Sequence, residues 1–125
     1  MSEEKITKND VKEFVLAAHG DLEAVQRMLA LQPGLLLLPN GSETALGAAC
    51  QMKRADIILF LLAQGAPLDI YAACVLGRVE EVAAFLDADP ALVNAKNKQS
   101  HVKPPTFFAW EQPDVLALLR SRGAK

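Results

Sequence analysis

Two cysteines, one tryptophan and one tyrosine are all that 125 residues hold of those types, and no apolar run is long enough to cross a membrane. A spanning helix needs about 20 consecutive apolar residues. The apolar stretch at residues 34–38 is broken off by Pro33 and Pro39. The first ten residues, MSEEKITKND, are charged and contain no apolar signal region. An excess of one charge is missing too: 13 basic residues against 15 acidic leave a net charge of -2. Nucleic-acid binders carry a concentrated basic footprint, so that class is not expected, nor is a membrane partner. Cys50 and Cys74 both lie in apolar helical contexts. They are expected to be reduced, buried thiols in a cytoplasmic protein.

Catalytic signatures are equally sparse. There is no phosphate-cradling glycine loop, no H-E-x-x-H and no C-x-x-C. The four serines have no G-x-S-x-G frame. His19 is expected in a turn, with catalytic base as the alternative role. His101 is expected in a polar loop. Neither has Cys, His or carboxylates at metal-ligand spacing around it. No metal, cofactor or catalytic residue is therefore expected.

What is present is repetition. Gly20-Asp-Leu-Glu-Ala-Val25-Gln-Arg-Met28-Leu29 returns as Gly77-Arg-Val-Glu-Glu-Val82-Ala-Ala-Phe85-Leu86, at an offset of 57. Pro33 then falls on Pro90, and Leu35 on Leu92. Asp56-Ile-Ile-Leu-Phe-Leu-Leu-Ala-Gln-Gly65-Ala66 returns as Asp114-Val-Leu-Ala-Leu-Leu-Arg-Ser-Arg-Gly123-Ala124, at an offset of 58. One domain of four units follows, near residues 9–38, 39–68, 69–95 and 96–125. Leu29, Leu62, Leu86 and Arg120 mark equivalent places in the second helix of each unit. Leu62 is expected in the core and Glu81 on the surface.

Each unit reads as two short helices. The clearest pair covers 45–52 and 55–64, with Gly65 stopping the second as a left-handed cap. Asn9 or Asp10 is expected to N-cap the first helix of the chain, and Asp69 the fifth. Residues 35–38 are expected to run as an extended connector between prolines. Asn40-Gly41 is the strongest turn signal and predicts a hairpin-like loop between units one and two. The step from unit two to unit three is about nine residues short, so no hairpin fits at residues 65–69. A polar connector at 94–104 carries Lys96, Lys98, His101 and Lys103 and no acid. Pro104 and Pro105 can open the seventh helix but not lie inside it. Cys50 and Cys74 occupy matching places in successive first helices. Packed helices lie about 8–10 Å apart, beyond the roughly 7 Å Cα limit of a disulfide, so both thiols are expected to stay free.

Thr44-Ala-Leu46-Gly-Ala-Ala49 resembles the T-P-L-H-x-A opening of an ankyrin repeat. Ile57-Ile58, Leu61-Leu62, Gly65-Ala66 and Leu68-Asp69 are similar to its second helix and exit. Ala45 and Gly47 depart from the family's proline and histidine. The resemblance covers residues 11–124. It implies an α-helical solenoid, an ankyrin-like array of four helix-turn-helix repeats with short hairpin-like loops. It also implies a non-catalytic scaffold that binds a partner protein on its concave face. The contact residues it suggests are Asn40, Ser42 and Glu43 from the loop, and Gln51, Met52 and Trp110 from the groove. Lys96, Lys98 and Lys103 from the connector would meet an acidic segment of the partner. Trp110 is open to a second reading as core filler, and the lysines to one as a solvated loop. The alternatives in function are a small enzyme or ligand carrier with a pocket near His19, and a self-associating structural unit. A monomer is expected.

Overall fold

A computed structural model describes residues 5–99 and 102–125 of the chain. Among these residues the protein is all-helical. Eight α-helices run in order: α1 Lys8–Ala17, α2 Leu22–Leu31, α3 Ala45–Gln51, α4 Ala55–Ala63, α5 Ile70–Leu76, α6 Val79–Ala88, α7 Pro105–Phe108 and α8 Pro113–Ser121. Consecutive helices pair as α1/α2, α3/α4, α5/α6 and α7/α8. The odd-numbered helices also pack in succession, α1 on α3, α3 on α5 and α5 on α7. No described helix is long and apolar enough to cross a membrane.

Local chemistry sets the boundaries. Thr7, rather than Asn9 or Asp10, caps α1. Its hydroxyl accepts from the Asp10 N–H at 3.0 Å, and the Asp10 carboxylate accepts from the Thr7 N–H at 2.9 Å. This reciprocal box satisfies two end donors of the helix. Thr44 and Asp69 cap α3 and α5, accepting from Gly47 N–H at 3.0 Å and Ala72 N–H at 2.8 Å. Asp21 caps α2 through the Ala24 N–H.

The helix ends repeat with equal regularity. After α4, Gly65 donates to Leu62 O and Ala66 to Leu61 O, with Gly65 at φ 111. After α8, Gly123 donates to Arg120 O and Ala124 to Leu119 O, with Gly123 at φ 99. Both are the paired closure that a left-handed residue permits. The residues opening the even-numbered helices, Asp21, Arg54, Arg78 and Gln112, are spaced like Leu29, Leu62, Leu86 and Arg120. Two of them reach back one pair: Arg54 Nη1 donates to Gly20 O at 2.8 Å, and Gln112 Nε2 to Val75 O at 3.0 Å.

The core runs through all four pairs. Phe14, Val25, Ala49, Ile57, Ile58, Leu61, Ala73, Val82, Leu86, Phe108, Val115 and Leu119 are buried in it. Leu62 is only half-buried, contrary to the sequence expectation, and Leu61 takes its place. Helices α2 and α6 bury Leu29 and Leu86, the eighth residue past the helix opening. Helices α4 and α8 bury the seventh, Leu61 and Leu119. One residue is about 100° around a helix, so alternate pairs present a rotated face. Residues 35–38 are not extended. Pro33–Leu35 forms a 3-10 turn and the chain bends again at Leu36 and Leu37. Proline at the first position presets φ for a helical turn. Pro90–Asn94 does the same after α6.

Candidate functional site

The loop at residues 40–43 closes tightly. Asn40 and Glu43 exchange both backbone hydrogen bonds, at 2.8 and 3.1 Å, across Gly41 at φ 65. Asn40 and Ser42 are exposed at its tip, and Glu43 is half-buried. The Glu43 carboxylate meets His19 Nε2 at 3.1 Å, while His19 Nδ1 lies 3.0 Å from Val15 O. A carbonyl can only accept, so Nδ1 carries a hydrogen. Both ring nitrogens thus have partners, and the imidazole is fixed between α1 and the turn. That placement suits the structural reading of His19.

The connector is anchored across the pairs rather than left in solvent. Thr44 N–H donates to Gln99 O at 3.0 Å, and the Thr44 hydroxyl donates to Gln99 Oε1 at 3.0 Å. Tyr71 OH donates to Ala95 O at 2.7 Å. Asn97 N–H donates to Lys103 O, and Gln99 N–H to Asn97 Oδ1. The connector is so tied to the second pair at Thr44 and to the third at Tyr71. Gly47 makes this possible: a Cβ there would collide with the Gln99 carbonyl. Any side chain at this position is therefore excluded on steric grounds.

The sequence-selected lysines divide. Lys96, Lys98 and Lys103 are all exposed. Lys103 places its ammonium 5.9 Å from the Phe107 ring centroid, and Lys53 places its own 4.8 Å from the same ring. His101 lies outside the described residues. Met52 is 51% exposed and Trp110 70% exposed. Trp110 is therefore not core filler. The buried aromatic of that turn is Phe108, edge-on to Tyr71 at 5.2 Å. Gln51 is half-buried.

Sequence reasoning missed Lys53, Gln99 and Phe107. A signal for Lys53 existed: it stands in the turn position that Gly77 fills in the next unit. The bonds of Gln99 span 55 residues and leave no local pattern.

Cys50 and Cys74 are free and fully buried. Burial pushes the Cys50 thiol well above its ordinary value, with Asp69 and Cys74 adding to the effect. Burial likewise pushes Cys74 up to about 12, assisted by the Asp69 charge. Thiolate is scarce at neutral pH in such a setting, and with it nucleophilic reactivity. Among the described residues no three His, Cys, Asp or Glu side chains gather as a metal site. Two open cavities, of about 420 and 300 Å³, have no His19 in their walls. No protein-family profile, curated protein or solved structure matches the chain.

Proposed function

We propose that this chain is a small ankyrin-like helical repeat protein, four helix pairs stacked in sequence order as one domain. It serves as a non-catalytic scaffold that binds a partner protein along the ends of its odd-numbered helices. One observation carries the reading. Met52 and Trp110 occupy the same place, two residues before the opening of α4 and α8, and both are exposed apolar side chains. Large exposed aromatics are common anchors in protein interfaces. The repeated turn closures and the spacing of the helix openings support the array. The turn at 40–43 and the connector flank these anchors in the same reading.

The test is capture from the source cell, with the intact chain and a Met52→Ser/Trp110→Ser variant as baits, read by mass spectrometry. Proteins retained by the first and lost by the second are the expected result. Identical captures would overturn the reading. Leu16, Leu31 and Leu37, exposed at 55%, 78% and 56% around the first pair, favour a second reading, self-association through that end. Sedimentation across a concentration series separates the two, a constant monomer mass excluding the second.

A further inference from the structure

We infer that the turn after α3, the end of the connector and α7 form a docking point for an acidic peptide segment with apolar side chains beside its carboxylates. The inference rests on the partner-binding reading above and names the chemistry of that partner. Lys53 and Lys103 are far apart in sequence, yet both ammonium groups stand over the Phe107 ring, at 4.8 and 5.9 Å. The ring itself is held in place. It meets Phe108 edge-on at 5.1 Å, and Phe108 meets Tyr71 at 5.2 Å, with the Tyr71 hydroxyl bonded to Ala95 O. Two positive charges are thus brought to one packed aromatic ring. Attraction to the ring holds each cation and neutralises neither. Ion pairs among the described residues join His19 to Glu43, Arg54 to Asp56, Arg78 to Glu81 and Arg122 to Asp87, and none involves Lys53 or Lys103. A carboxylate brought to this ring finds two cations that no described acidic side chain pairs.

The backbone points the same way. Helices α3 and α5 end in the same pair of hydrogen bonds: Lys53 to Cys50 O and Arg54 to Ala49 O, then Gly77 to Cys74 O and Arg78 to Ala73 O. The residue at the turn is left-handed in both, at φ 54 for Lys53 and φ 73 for Gly77. Glycine is the unstrained choice there. The second pair instead holds a lysine in a strained conformation, and such outliers concentrate at functional positions. Each cation also has an exposed apolar neighbour in sequence, Met52 beside Lys53 and Val102 beside Lys103, and Trp110 follows α7. Two cations among apolar side chains suit a short acidic, apolar peptide. A nucleic acid backbone calls for a longer basic track.

The test begins with phage-displayed random peptides selected on the intact chain. The best sequence is then made with a fluorophore and titrated by anisotropy at about 10 and about 150 mM salt. Selected peptides should combine Asp or Glu with Leu, Phe or Trp. A Lys53→Gly/Lys103→Ala variant should bind about tenfold more weakly at the lower salt, with the gap shrinking at the higher. Lys53→Gly alone should melt at or above the parent temperature, which separates lost charge from lost fold. Unchanged affinity in the lysine variant, or selected peptides without acidic residues, would overturn the inference. If Met52→Ser/Trp110→Ser still abolishes binding in that case, the partner-binding reading survives by itself. If it too leaves binding intact, both fail. Labelled oligo-dT binding as tightly as the peptide would overturn the peptide assignment.

Discussion

Helices α3 and α5 are capped, packed and closed alike, yet only α3 is preceded by a turn of its own. Ahead of α3 lies the Asn40–Glu43 closure; ahead of α5 the chain passes directly through Pro67 and Leu68 to Asp69. Residues 95–99 arrive from the third pair and bond to Thr44 in the second, with an open cavity left between Gln99 and residues 67–69. Gly47 and Tyr71 both stand seven residues before the opening of the next helix, at Arg54 and Arg78. One makes room for the connector and the other gives it a hydroxyl. The difference shows how a helix pair without a loop of its own is tied to its neighbours by a connector from further along the chain. Buried backbone groups need partners, and a longer connector one unit later supplies them.

The comparison can be broken first at the even-numbered helices. Leu61→Ala should cost about 2–5 kcal/mol, since its side chain is fully buried in the core. Leu62→Ala, half-buried, should cost clearly less. In α6 the order reverses: Leu86→Ala should exceed Phe85→Ala per atom removed, because Leu86 is buried and Phe85 is not. Urea midpoints of the four variants check this crossing, and equal values for Leu61→Ala and Leu62→Ala would contradict the rotation.

Next come the two glycines that make close approaches. Gly47→Ala pushes the connector off Thr44 and should cost about 1–3 kcal/mol. Gly77→Ala meets both a left-handed backbone and the Gln112 side chain, and should cost about 1–3 kcal/mol. Thermal melts of both should fall below the parent.

Asp69 differs from Thr44 in carrying a charge at a half-buried cap. Burial holds its carboxyl above the ordinary range, against the lowering effect of the Ala72 and Tyr71 N–H groups. The folded state therefore favours the proton. Its stabilising effect is complete below the unfolded value of about 3.9 and is lost as pH rises through the folded value. Asp69→Asn keeps the acceptor and removes the charge. It should melt above the parent at pH 7, with the difference closing by about pH 3. A lower melt at pH 7 would show that the charge stabilises the cap.

The smallest effect is expected at Lys53→Gly, a gain of at most about 1 kcal/mol, as relieved strain is partly offset by unfolded-state entropy. The opposite signs at Lys53 and Gly77 would express the same turn read in two sequences.

Much of the helical plan was legible because its signals are local. Asp69 as a cap, Asn40-Gly41 as a turn and Gly65 as a stop each act within a few residues. The rotation of α4 was not, since Ile57, Ile58, Leu61 and Leu62 form an apolar face wide enough for either register. Packing against the neighbouring helices decides between them. Trp110 stood open in sequence between core and groove, and only the short α7 decides it, sending Phe108 into the core and Trp110 to solvent. The basic loop was visible as composition. That Lys103 shares a ring with Lys53 was not, because the contact crosses the whole third pair.

The tie between the connector and the second pair is tested most directly at the Thr44 amide. It lies outside any helical ladder, and its acceptor is Gln99 O at 3.0 Å. Residue-resolved hydrogen exchange by NMR should find this amide protected in the parent chain. In Gly47→Ala the protection should be lost while the Ala72 and Ala73 amides of α5 keep theirs. A Thr44 amide that exchanges freely in the parent would contradict the account.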